Sequence, residues 1–231
     1  MKFYVEQEIL DKGVKIIFAV IRGMDNTGTV EEWNTYRSMK LQELYQRYAE
    51  LDVHSDPVLE GFNILHDHFS VKRRKNIPAS ENLIRLLKKN QGHMFFINTA
   101  VDIYNLISMD TKLALGAHNM DKAEGDITLR ITDGTEKFIP LGQSEPVPVN
   151  PGEYCYCDDS NEVLCRLEIR QVNKTAVDAS AVNVFYIIQG NEYTPDDLLY
   201  SAAREIIETT AAYCKGTGEI IVPEVIHSDT K

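Results

Sequence analysis

The sequence holds no apolar run near the roughly 18–20 residues that a membrane-spanning helix requires. Its best stretch, residues 14–21, is interrupted by Lys15 and has only the length of a strand. The opening MKFYVEQEIL carries one lysine and no apolar leader core, so the expectation is a cytoplasmic protein without a membrane span. Cysteine is scarce, limited to Cys155, Cys157, Cys165 and Cys214. Their spacing fits no common zinc motif and no histidine lies near the first three. They are expected to be reduced structural thiols, with no metal and no cofactor. Basic charge is in deficit, 24 Lys and Arg against 35 Asp and Glu, for a net −11. Such a field repels phosphate backbones and argues against sequence-blind nucleic-acid binding, though a local basic patch stays compatible with it. The nucleophile elbow, the P-loop and the dinucleotide-binding glycine motif are absent, and the six histidines form no HExxH pair.

What is present is enough for a folded core. Apolar residues make up 43% of 231 residues, and a chain of this length buries roughly 70–75% of its unfolded surface. Residues 4–10 and 14–21, parted by Asp11-Lys12-Gly13, predict a hairpin. The second strand is apolar on both faces, which predicts a central strand covered on both sides. Trp33, Arg37, Leu41, Leu44, Tyr48 and Leu51 recur at helical spacing and predict a helix over 29–51. Further helices are predicted from Pro57 to about His68, from an N-cap at Ser80 to Gly92, and from Thr99 to Ser108. After Met120 glycine and proline punctuate short alternating segments. Strands are predicted around Ile127–Ile131, Val163–Ile169 and Val182–Ile188. Thr194 as N-cap, then Pro195, Asp196 and Asp197, open a last helix to about residue 214. Residues 228–231 are expected to fray. The reading is one α+β domain over 1–231, with a helical first half and a sheet-rich second half.

Three constellations could carry chemistry. Residues 72–89 contain Lys72, Arg73, Arg74, Lys75, Arg85, Lys88 and Lys89 against Glu81 alone, a local net of +6. Its Lys72–Lys75 cluster lies before a helix N-terminus and suits a phosphate, or it is a solvated loop that balances acidic faces. Asn98, Thr99, Asp102 and Asn105 cluster at a helix start and along one face. Set among apolar residues, they need partners, supplied either by a ligand or by a neighbouring loop. Glu168 and Arg170 would share a strand face, as a surface ion pair or as a pocket wall.

At these residues the chain resembles a known family. Asn76-Ile-Pro-Ala-Ser-Glu-Asn-Leu, Ile97-Asn-Thr-Ala-Val-Asp-Ile-Tyr-Asn-Leu, Gly116-Ala-His-Asn-Met-Asp-Lys and Gly125-Asp-Ile-Thr-Leu-Arg are similar to freestanding relatives of the B3/B4 domain. That domain belongs to the β subunit of bacterial phenylalanyl-tRNA synthetase, where it is an α+β module that hydrolyses wrongly attached tyrosine. The similarity is strongest over about residues 70–190. It implies a pocket bounded by Asn98, Asp102, Asn105 and Asp121. Where the synthetase has His-Ala-Phe-Asp, this chain has Gly116-Ala117-His118-Asn119, and Glu168-Ile-Arg-Gln171 stands where the synthetase is glycine-rich. The resemblance implies a tRNA or aminoacyl-tRNA acceptor end as a weakly bound partner. Arg73 and Arg74 would hold its phosphates, with Thr99 beside them in the binding set. An alternative is a trans-acting deacylase, in which His118 or Glu168 orients water while Arg170, Gln171 and Asn98 donate to the oxyanion. A second alternative is a module for an amino-acid-like ligand, or an interaction protein.

Overall fold

The computed structural model describes residues 1–28 and 31–227; the fraying expected of 228–231, and the predicted start of the second helix at Thr29, fall outside them. Strand β1 (Phe3–Glu6) is followed at once by a short helix, α1 (Gln7–Asp11), and Gly13 at φ +98 turns the chain into β2 (Lys15–Arg22). Helices α2 (Glu31–Tyr48), α3 (Pro57–His68), α4 (Ala79–Lys89) and α5 (Thr99–Thr111) come next. Strands β3 (Ala114–Asn119), β4 (Ile127–Ile131), β5 (Tyr154–Asp158), β6 (Val163–Arg166), β7 (Arg170–Gln171) and β8 (Val184–Gly190) follow. The described chain closes with α6 (Asp196–Cys214), β9 (Thr217–Ile221) and β10 (Glu224–Ile226). The α+β class and its division into a helix-rich first half and a strand-rich second half stand as expected.

The predicted hairpin does not form. Ile9 is fully buried by the α1 turn, and β1 is taken up as the parallel partner of both β4 and β10. The six-stranded sheet therefore runs β10-β1-β4-β5-β6-β7, while β2 lies in a separate four-stranded sheet, β3-β8-β2-β9. Strand β2 is central there, antiparallel to β8 and to β9. Its two apolar faces serve different cores. Ile17, Ala19 and Ile21 pack with the helices, among Trp33, Leu44, Ile103 and Ile206. Phe18 and Val20 face the other sheet, where Phe18 stacks on Phe3 at 4.3 Å and meets Tyr156 edge-on at 6.2 Å. The order is helices, four-stranded sheet, six-stranded sheet.

Helix ends explain two further departures. Helix α3 is capped as its sequence suggests: Asp56 accepts from the Val58 and Leu59 amides, with Pro57 in the first turn. Helix α4 instead starts after Pro78, so Ser80 is buried inside the first turn and caps nothing. Helix α6 starts after Pro195, because the Thr194 hydroxyl is already used, accepting from the Asn191 amide at 3.1 Å. All four cysteines are buried free thiols, and burial pushes Cys157 up to about 12. Among the described residues no helix is long and apolar enough to cross a membrane, and no three His, Cys, Asp or Glu side chains are grouped to hold a metal ion.

Candidate functional site

Helices α4 and α5, strand β3 and the β6–β7 corner enclose a cavity of about 480 Å³. Leu83, Leu115, Ile169 and Ile187 supply apolar wall. Asn82, Tyr104, Asn105, Gln143, Glu168, Arg170 and Gln171 supply polar groups. Its volume is within the range of ordinary small-ligand sites, roughly 300–1,000 Å³.

The corner is where the sequence expectation fails most usefully. A strand was expected to run through Ile169, but Cys165 pairs with Gln171 and Arg166 with Arg170, so Leu167, Glu168 and Ile169 form a three-residue hairpin turn. Leu167 takes the left-handed conformation at φ 54, which ends β6. Glu168 and Arg170 consequently share no face: Glu168 turns inward and is buried, whereas Arg170 is exposed. The facing loop is held against this corner by the Leu141 amide, which donates to the Gln171 carbonyl at 2.8 Å.

The Glu168 carboxylate is held from two sides. His66 Nε2 on α3 lies 2.7 Å from one oxygen, and the Tyr154 hydroxyl donates to the other. Gln189 Nε2 donates to Tyr154 at 3.1 Å, and Tyr156 donates to the Gln189 carbonyl at 2.6 Å. Every member of this chain is buried, where an unpaired polar group is costly and each hydrogen bond counts for more than in water. Burial opposes charge on His66, but the adjacent Glu168 carboxylate outweighs it and raises the imidazole above its ordinary value. Burial also pushes Tyr104 up to about 12, against the hydrogen bond that its hydroxyl shares with Gln171.

The residues singled out from sequence are dispersed. Asn105, Glu168, Arg170 and Gln171 line the cavity. Asn98 is the N-cap of α5, accepting from the Val101 amide at 3.0 Å and donating to the Val177 carbonyl at 2.9 Å. Thr99 is buried beneath the Gly28 carbonyl. Asp102 turns to the far side of α5, where it pairs with Arg37 and accepts from the Ile97 amide at 3.3 Å. Burial raises its carboxyl above the ordinary range while Arg37 pulls it back. Asp121 accepts from the Asn183 amide at 3.0 Å and is not among the residues that line the main cavity. His118 is enclosed between the sheets, its ring stacked 5.2 Å from that of Phe185 and its Nδ1 2.8 Å from Thr175 Oγ1. Burial pushes it down to about 3, so it is neutral at physiological pH.

Arg73 and Arg74 line a second cleft, of about 240 Å³, with His54, Asn63, Glu81 and Arg85. Ile77 belongs to both cavities. Two of these arginines are paired within the fold. Arg73 reaches Asp67 and Glu60, and Arg85 pairs with Glu81 at 2.5 Å. Lys88 donates to the Leu51 carbonyl at 2.5 Å. Among the described residues, Arg74 has no side-chain partner.

His66, Tyr154 and Gln189 were not anticipated. His66 carried one usable signal, its place on the apolar stripe of α3 with Leu59, Phe62 and Leu65. The two tyrosines and Gln189 lie on strands that read as ordinary core.

Comparison with known proteins follows this geometry. A family model described as the B3/4 domain matches residues 69–214, the segment that supplies α4, α5, β3 and the β6–β7 corner. The chain is 27% identical over 187 residues to a phenylalanine–tRNA ligase beta subunit from Mycoplasmoides gallisepticum, covering 79% of this chain and 22% of the relative. It is 29% identical over 117 residues to the corresponding subunit from Fusobacterium nucleatum, covering 51% of this chain and 14% of that one. The chain thus spans less than a quarter of these curated relatives. In fold it is similar to an N-terminal fragment of the phenylalanyl-tRNA synthetase beta subunit from Pyrococcus horikoshii, with TM-score 0.51 and 16% identity. That match covers 99% of this chain and 52% of the fragment.

Proposed function

The chain belongs to the B3/4 domain family, and from that premise we propose that its main cavity binds the aminoacylated 3′ end of a tRNA and leaves the ester intact. The relatives' names, as subunits of a tRNA ligase, support tRNA as the polymer. The cavity's mixture of apolar wall and amide groups suits an amino-acid side chain carried on a ribose. One observation carries the choice of binding over hydrolysis: Glu168, the carboxylate in the cavity, is engaged at both oxygens by His66 and Tyr154. A general base needs a lone pair aimed at the water it deprotonates, and here both oxygens are committed to neighbours. His118 is buried away from the cavity and neutral. Held in this way by His66 and Tyr154, Glu168 fixes the shape of the cavity wall. Binding of this kind would be weak, because the net charge of −11 opposes RNA. A cytoplasmic site of action goes with it.

The second reading is ester hydrolysis with water positioned by the substrate's own hydroxyl. It is favoured by one feature, the gathering of Asn105, Arg170 and Gln171 as donors around one cavity. A single experiment separates the two. Purified protein is added to a panel of correctly and wrongly aminoacylated tRNAs, and both filter retention and ester half-life are followed. Retention of charged over uncharged tRNA at an unchanged half-life is expected. A shortened half-life that is lost in Gln171→Ala would establish the hydrolase. Absence of both would overturn the tRNA reading.

A further inference from the structure

The connection between α4 and α5 puts apolar side chains where water is expected to be. Phe95 is 92% exposed, Ile97 62% and Phe96 44%. Single exposed apolar residues need no explanation, whereas adjacent ones on a small protein mark a contact surface. This segment is also built rather than slack. The Gly92 amide donates to the Leu87 carbonyl at 2.9 Å, and the His93 amide to Asn90 at 3.0 Å. Arg37 Nη2 donates to the Met94 carbonyl at 2.8 Å, and the same guanidinium lies 5.8 Å from the Phe96 ring centre. The Ile97 amide closes the other end on Asp102. Both ends of the turn are therefore tied to α2, α4 and α5, and Phe95 is presented between them.

Its surroundings favour one kind of partner. Between Glu81 and Asp102 there is no acidic residue, while Lys88 and Lys89 close the last turn of α4 just before the loop; in a chain of net −11 this is the complement of an anionic polymer. Phe95 also shares a shallow depression with Asn105, and Asn105 lines the main cavity, so one side chain separates the exposed ring from the ligand space. An aromatic face beside a positive edge is the arrangement on which unpaired bases stack.

We infer that Phe95 is the stacking platform for an unpaired base next to the aminoacylated end, resting on the tRNA reading above. The loop would thus hold the single-stranded terminus while the cavity takes the aminoacyl group. Because the acidic surface elsewhere opposes the double-stranded stem, stacking would supply a large share of the affinity.

The test uses the full chain and an acceptor-stem minihelix whose last unpaired adenine is replaced by 2-aminopurine, charged and uncharged. Wild-type protein is expected to quench the probe on binding. Phe95→Ala should weaken binding about tenfold and abolish the quench, and Phe95→Tyr should retain both. The exposure of Phe95 makes either variant fold as the parent does. Equal affinity and quench in wild type and Phe95→Ala would overturn the platform and leave the cavity reading standing. Failure of wild type to bind any minihelix would remove both. Self-association of wild type that Phe95→Ala dissolves would make the loop a protein interface and would also overturn the inference.

Discussion

Gln171 Nε2 lies 2.7 Å from the point at which a Cβ on residue 116 would stand. The glycine is what admits the amide of β7 to the face of β3, and there the amide meets the Tyr104 hydroxyl. A side chain at 116 and Gln171 in this position exclude one another. Any residue larger than glycine at 116 would have to displace Gln171 from this position.

Gly116→Ala tests this. The clashing atom is the end of a flexible side chain, so the cost in stability should be small, under about 1 kcal/mol. Ligand affinity should fall more, since Gln171 is turned away from Tyr104. Gln171→Ala should remove the clash, so the two changes combine non-additively, with a coupling in stability of about 0.5–1 kcal/mol. Strict additivity in denaturant midpoints and in affinity would show that the two residues do not share this space.

A pH dependence follows from His66. Its folded value is raised above the unfolded one, so the native state holds the proton more tightly. The stabilisation is complete below the unfolded value of about 6.5 and is lost as pH rises through the folded value. Urea midpoints should decline as pH rises above the unfolded value of about 6.5, and Glu168→Gln should remove that decline. A profile identical in the variant would dissociate Glu168 from the effect. Glu168→Ala, which leaves His66 and Tyr154 without their partner, should cost roughly 3–5 kcal/mol.

Asp102 and Asn105 invite opposite outcomes although three residues apart on one helix. Asp102→Ala leaves Arg37 and the Ile97 amide unpaired and should cost roughly 3–5 kcal/mol of stability. The folded fraction should still take the aminoacyl group into the cavity, any loss of affinity coming from the loop that Asp102 ties through the Ile97 amide. Asn105→Ala should leave the unfolding midpoint nearly fixed and reduce affinity. Thermal unfolding and titration of both variants decide it; the reverse pattern would return Asp102 to the ligand site.

The elements legible in the sequence were those written by periodicity and punctuation. The stripes of α2 and α6, the double apolar face of β2 and the strand alternation after Met120 are local properties of the chain. What was not legible depends on partners distant in sequence. β1 and β2 looked like a hairpin because the turn signal was local, while the parallel pairing of β1 with β4 spans more than 120 residues. Asn98 and Asp102 looked like ligand groups because polar residues in an apolar helix need partners, and nothing local said that Val177 and Arg37 supply them. Glu168 was recognised as a residue of interest, but its turn and its pairing with His66, 102 positions earlier, emerge only in three dimensions.

The basic segment gives the sharpest contrast between charge in the sequence and charge available to a ligand. Arg73 is shared by Asp67 and Glu60, whereas Arg74 has no such partner among the described residues, in the same cleft. Counterion release counts the cations that meet phosphates, so of these two arginines Arg74 should register in the salt dependence. Arg74→Ala should reduce the slope of log affinity against log salt by about 0.7–0.9 for the loss of one phosphate contact. Arg73→Ala should leave the slope unchanged and lower stability by no more than about 1 kcal/mol, the most that an exposed pair contributes. Equal slope losses in the two variants would mean that Arg73 exchanges its carboxylates for phosphate on binding, and the cleft would then present both arginines to RNA.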